Sequence, residues 1–284
     1  MLCLPILAGG EEIMWIVACD LARRGYVAAW ANRVASLMRP EQSIAAFEGL
    51  MRRSVVHNRM VLRWAEREAG VDAHRIAVLG ISLGGMLGCA LLSVEPEVDA
   101  AVICIAGGGL PGLMLESGEA RAVRWRHRRR TEQGLPDAEI ARRMDRWVVS
   151  DPALLGGYVP QEKVLLVATT LDGVVPWENQ QLLWESLGRP ARLELPLGHY
   201  TAAIALPRVL GVAAAFFDAR FRASAGREHR AASRVGREPG PHGPRGPGSL
   251  RRAAGAGLML HPLAGNRISW PFPPSPSDLP SSSR

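Results

Sequence analysis

Gly80-Ile81-Ser82-Leu83-Gly84-Gly85 restricts the fold more than any other stretch of the chain. It follows an apolar run, Arg75 to Leu79, and opens an apolar segment, Leu83 to Val94, with helical spacing and a small-residue face. A Gly-x-Ser-x-Gly between a strand and a helix makes a very tight turn. Side chains two residues before and after the serine would collide, so Gly80 and Gly84 are required there. The serine backbone is then strained. Its hydroxyl stands at a helix N-terminus, where the Leu83 N–H and the helix dipole favour developing negative charge. The plain alternative is a glycine-rich turn with an incidental serine.

The segments around this turn supply a sheet for it. Strand-like runs are Leu2 to Ala8, Tyr26 to Trp30, Arg75 to Leu79, Asp99 to Ile105, Val164 to Ala168 and Arg192 to Leu195. Between them the apolar residues recur at threes and fours over Glu11–Arg24, Glu41–Ala69, Leu83–Val94, Trp177–Leu187 and Thr201–Arg220. Gly25 and Gly70 stop the first two helices. Short apolar strands separated by helices predict an α/β fold, a mostly parallel sheet of about six strands with helices on both faces. Residues 107–160 break the rhythm and read as a helical insertion between the fourth and fifth strands.

Charge divides the chain at the same place as composition. Of the 34 Lys+Arg and 27 Asp+Glu, residues 1–220 hold 24 of each, so the net +7 lies in residues 221–284. A basic folded body would indicate a nucleic-acid partner; with a neutral body none is expected. From Gly226 onward 19 of 59 residues are Gly or Pro, without a period and with few apolar anchors. Such a segment does not offset its conformational entropy by burial, and it is predicted disordered. The domains expected are 1–220 and a basic tail, 221–284. No run of eighteen apolar residues and no leader pattern is present, so neither a membrane span nor a signal peptide is expected. Cys3, Cys19, Cys89 and Cys104 form no CxxC and no zinc spacing. They read as thiols of a protein in a reducing, cytoplasmic compartment. No metal or cofactor is expected.

A serine nucleophile needs a base, and the base an orienting acid. Of seven histidines, His57 lies within a helix, His74 precedes the third strand at the wrong end of the sheet, and His127 sits within the arginine run. His229, His242 and His261 fall in the tail. His199, in Pro196-Leu197-Gly198-His199-Tyr200, follows the last strand at the carboxyl end of the sheet, where open α/β sheets gather their ligands. Asp172, in Leu171-Asp172-Gly173-Val174-Val175-Pro176, is the only acid between Glu162 and Glu178; its plain alternative is a turn-forming Asp-Gly. The chain order Ser82, Asp172, His199 is the order of the serine hydrolases built on this elbow.

On these three stretches, over roughly residues 1–220, the chain resembles the α/β-hydrolase superfamily. In outline it is similar to the dienelactone hydrolase and prolyl-oligopeptidase-like esterase branches. The resemblance implies hydrolysis of a small-molecule ester or thioester through an acyl-enzyme on Ser82, without a cofactor. It implies an oxyanion hole made by the Leu83 N–H and a backbone N–H from the loop after the first strand, at Ala8, Gly9 or Gly10. It also implies that residues 107–160 form a lid. Members of the superfamily carry two further strands before the one ending near Ala8, and the chain starts at that strand. Arg121, Arg124, Arg126, Arg128, Arg129 and Arg130 cluster in the insertion. They read as a solvated cationic face partnered by Glu116, Glu119, Glu132 and Glu139, or else as binders of an anionic substrate group. Trp125 and Trp147 are candidates for the wall of an acyl pocket or for lid packing. Two other functions use the same residues: a degenerate, non-catalytic binding protein, and an acyltransferase with an alcohol acceptor.

Overall fold

The computed structural model describes residues 1–7, 10–31, 37–68 and 70–235, with the backbone alone over 227–235. Six strands, β1 (Leu2–Leu4), β2 (Ala29–Trp30), β3 (Ala77–Ile81), β4 (Ala100–Cys104), β5 (Val164–Thr169) and β6 (Ala191–Leu195), form one parallel sheet. Their order is β2-β1-β3-β4-β5-β6. The chain leaves β1 for β2 on one side and returns to β3 on the other. The crevice at this switch therefore opens beyond the carboxyl ends of β1 and β3. Ser82 follows β3 directly.

The central strands are buried on both faces, as their unbroken apolar runs predict. Alternate residues feed two cores: Val78, Ala101, Ile103 and Leu166 point into one, and Leu79, Val102, Cys104 and Val167 into the other. The first core is closed by α2 (Ile44–Ala65), α3 (Leu83–Leu92), α8 (Trp177–Ser186) and the insertion. The second is closed by α1 (Glu11–Arg23) and α9 (Leu206–Val235). Ser43 caps α2 by accepting from the Ala46 N–H. The helix then buries Ile44, Phe47, Leu50 and Met51, the threes-and-fours seen in the sequence. All ten residues of α3 are buried.

Residues 107–160 are helical, as expected: α4 (Leu110–Glu116), α5 (Ala120–Thr131), α6 (Asp137–Trp147) and α7 (Pro152–Leu155). Buried Asp151 ties the start of α4 to that of α7, accepting from the N–H groups of Gly109, Leu110 and Ala153.

The C-terminal boundary differs from expectation. After a 3-10 turn at Thr201–Ala205, α9 continues past Arg220 to Val235, and Phe221 and Ser224 are buried on it. The shift in composition therefore precedes the end of the helix, because Phe217 and Phe221 lie four residues apart and keep one apolar stripe going. The predicted tail beyond Val235 lies outside the described residues. By length and composition Thr201–Gly226 would cross a bilayer. Here its Leu210, Ala213 and Phe217 are packed against the sheet, while 28% of its apolar window is buried, so the helix packs by one face.

Among the described residues all four cysteines are free. Burial pushes the Cys3, Cys89 and Cys104 thiols up to about 12, so they behave as apolar groups.

Candidate active site

Ser82 has φ 54° and ψ −118°, the strained backbone that the elbow demands. It is held there by two main-chain bonds: its N–H donates to the Cys104 carbonyl on β4, and its own carbonyl accepts from the Met86 N–H. A Cβ on Gly80 would lie 2.3 Å from the Gly84 carbonyl oxygen. One on Gly84 would lie 2.0 Å from the Leu4 carbonyl oxygen. Gly84 is thus required less by the turn itself than by the closeness of α3 to β1.

Asp172 and His199 stand on the loops after β5 and β6. The two loops are stitched by main-chain bonds from Thr170 to Leu195 and from Leu171 to Leu197. His199 Nδ1 lies 2.8 Å from Asp172 Oδ2. Both carboxylate oxygens are saturated: Oδ2 also accepts from Thr169 Oγ1 at 2.9 Å, and Oδ1 from the Val174 and Val175 N–H groups, each at 2.8 Å. Asp172 is thus both the turn former and the partner of His199. Burial pushes the Asp172 carboxyl up. The His199 ring and the two N–H groups more than offset this and hold it below the usual carboxylate range.

A lowered folded value makes ionised Asp172 stabilising above the unfolded carboxylate range, near pH 4. That contribution is lost as pH falls through the lowered folded value. Wild type should therefore exceed Asp172→Asn in urea midpoint at pH 6, and the difference should shrink progressively below about pH 4. A difference that does not change with pH would contradict the assignment.

Two supporting residues escaped the sequence. Gln180 of α8 is buried; it accepts from the Thr169 N–H and donates to the carbonyls of Thr169 and Val175, clamping β5 to the acid loop. Thr169 donates to the acid itself. Nothing in Trp177-Glu178-Asn179-Gln180 marks this role, because the partners are main-chain groups across a turn.

Ser82 and His199 line one cavity of about 230 Å³. Among the described residues no hydrogen bond joins Ser82 Oγ to the His199 ring; such contacts commonly tighten only with substrate bound. The Leu83 N–H opens α3 beside Ser82. Ala8 and Gly9, the other oxyanion candidates, lie outside the described residues. Gly10 caps α1 at φ 61°, where a Cβ would strike Ile6 at 2.7 Å.

No arginine or lysine lines the cavity among the described residues, which gives the anion-binding reading of the cluster no support, and the solvated-face reading holds for only part of it. Arg121 donates to the Leu7 carbonyl, and Arg126 to those of Met114 and Ser117. Arg129 is buried, stacks on Trp125 at 3.5 Å and donates to Pro40, Gln42 and Trp125 carbonyls. Arg128 pairs with Glu132 as foreseen, but Arg130 pairs with Asp137. Glu119 caps α5, and Glu139 pairs with Arg142 and Arg143. Arg121 and Arg129 thus fasten the insertion to the segments before α1 and α2, while Arg126 ties α5 to the end of α4. Trp125 is packed inside the insertion and Trp147 is exposed; neither lines the cavity. Burial pulls the Arg129 guanidinium down to about 10. Arg129→Ala removes the guanidinium from the Pro40 carbonyl and from the Trp125 face, while the Gln42 carbonyl keeps the Trp125 Nε1–H, and it should cost about 1–3 kcal/mol, read from urea unfolding. A loss below about 0.5 kcal/mol would place the residue among ordinary surface arginines.

The chain has the α/β-hydrolase fold. It superposes on a metagenome-derived lipolytic enzyme with a TM-score of 0.53, at 18% identity over 76% of this chain and 91% of the other. An α/β hydrolase from Penicillium sp. sh18 gives a TM-score of 0.55 at 14% identity, over 78% and 89%. An esterase from Pyrococcus furiosus gives 0.54 at 14% identity, over 78% and 82%. No family model matches the chain, and no curated protein is similar enough to count as a match.

Proposed function

We propose that the chain is a serine hydrolase of carboxylic esters or thioesters that works through an acyl-enzyme on Ser82. One observation carries this: a strained serine at a helix N-terminus shares an apolar cavity with a histidine whose far nitrogen is held by a saturated, buried carboxylate. The lipolytic and esterase neighbours support the same chemistry. His199, oriented by Asp172, takes the Ser82 proton as Oγ bonds to the substrate carbonyl carbon. The Leu83 N–H receives the oxyanion. The carbon–oxygen (or carbon–sulfur) bond to the leaving group then breaks, and His199 protonates that group. Water repeats the sequence and releases the acid.

Protein quenched during turnover of a p-nitrophenyl ester should carry one acyl group, on the peptide containing Ser82. Turnover with the acyl group elsewhere, or turnover that persists in folded Ser82→Ala, would refute the covalent path on Ser82.

A further inference from the structure

The walls of the cavity come from both sides of the sheet. Phe47 and Met51 of α2, Met86 of α3, and Leu113 and Met114 of α4 belong to one core. Ile13 of α1, Ala202, and Leu206 and Val209 of α9 belong to the other. Ser82 stands between the two layers, at the end of β3. Its partners are asymmetric. Leu83 and Met86 of the same helix line the first lobe, whereas His199 is followed at once by Tyr200, Ala202 and Ala203, which line the second.

Resting on the hydrolase assignment above, we infer that the substrate is a neutral ester with two apolar arms, its acyl chain under the insertion against Phe47, Met51 and Met114, its alcohol against Leu206 and Val209. The chemistry fixes which arm lies where. The leaving oxygen takes its proton from His199 and so lies on the His199 side, with the alcohol continuing along the start of α9. The carbonyl oxygen points to the Leu83 N–H, and the acyl chain continues along α3 toward α2. The bond formed is Ser82 Oγ to carbonyl carbon, the bond broken is carbonyl carbon to alcohol oxygen, and one proton passes from Ser82 through His199 to the alcohol. Among the described residues the lining has no cation, and its one carboxylate, Glu119, accepts from the Arg121 and Ala122 N–H groups, so a carboxylate or phosphate on either arm would be desolvated without a partner. An apolar cavity of about 150 Å³ holds a six-carbon ring, so 230 Å³ accommodates roughly nine carbons shared by the two arms. Methionines, unbranched and flexible, make the acyl lobe adaptable rather than rigid.

Two ester series test this: p-nitrophenyl esters of increasing acyl length, and butanoate esters of increasing alcohol length, each on wild type, Met51→Ala, Met114→Ala and Leu206→Trp. Met114→Ala covers the acyl lobe should Met51→Ala fail to fold, and labelling by a small fluorophosphonate reports an intact Ser82. Widening the acyl lobe should move the preferred acyl chain about two carbons longer and leave the alcohol series unchanged. Leu206→Trp should lower kcat/KM for hexyl relative to methyl butanoate at least tenfold and leave the acyl series unchanged. Variants that alter the opposite series, or a wild type preferring acetyl or anionic acyl groups, would overturn the two-arm assignment while leaving the hydrolase standing. Absence of both labelling and ester turnover in folded wild type would overturn the hydrolase, and the assignment with it.

Discussion

Asp172→Asn should lower kcat about 10⁴-fold while leaving the fold intact. The size follows from which way the new amide must turn. Oδ1 accepts the N–H groups of Val174 and Val175, so an NH₂ group cannot sit there without facing two donors. The amide oxygen therefore takes the Oδ1 position and the NH₂ takes the Oδ2 position, against His199 Nδ1. His199 must then accept at Nδ1 and carry its proton on Nε2, the nitrogen needed as a base. Thr169 Oγ1 loses its acceptor as well, and its hydroxyl must rotate to another partner. Steady-state ester hydrolysis measures the effect. A kcat within threefold of wild type would show that the acid is another residue.

Gly84→Ala should abolish soluble folded protein. The added methyl would lie 2.0 Å from the Leu4 carbonyl oxygen and 2.5 Å from its carbon, and both partners are main chain. Relief requires α3 to move off β1, which opens both the core and the elbow, at a cost above about 4 kcal/mol. Gly112→Ala on α4 is the control, since nothing lies within 4 Å of its Cβ position. It should leave stability unchanged or raise it by about 0.5–1 kcal/mol. Soluble yield and urea midpoints distinguish the two. A Gly84→Ala protein as stable as wild type would mean that α3 and β1 are less close than described.

The tight turn at Ser82 and the pairing of the Asp172 and His199 loops were legible because each is a short local pattern placed at a strand end. Gly80 and Gly84 flank Ser82 for steric reasons visible in six letters, although the clash partner of Gly84, on β1, was not visible. Strand placement was legible because double burial leaves unbroken apolar runs. The cavity wall was not, since Phe47 and Met51 are ordinary core residues of α2 until the fold sets them opposite Met114. The arginines misled because their partners are carbonyls: Pro40, Gln42 and Ser117 carry no sequence signal for accepting a guanidinium. The end of α9 was missed because Gly and Arg begin to accumulate while the Phe217–Phe221 stripe is still packed. The second oxyanion donor, sought at Ala8 and Gly9, lies outside the described residues.

The most direct measurement is covalent labelling of the purified chain by a fluorophosphonate, with Ser82→Ala beside it. An activated serine at the elbow predicts labelling of the native protein, located by mass on the peptide containing Ser82, and none of the folded mutant. A folded native protein that does not react, or a Ser82→Ala protein that still reacts, would contradict the assignment of Ser82 as the nucleophile.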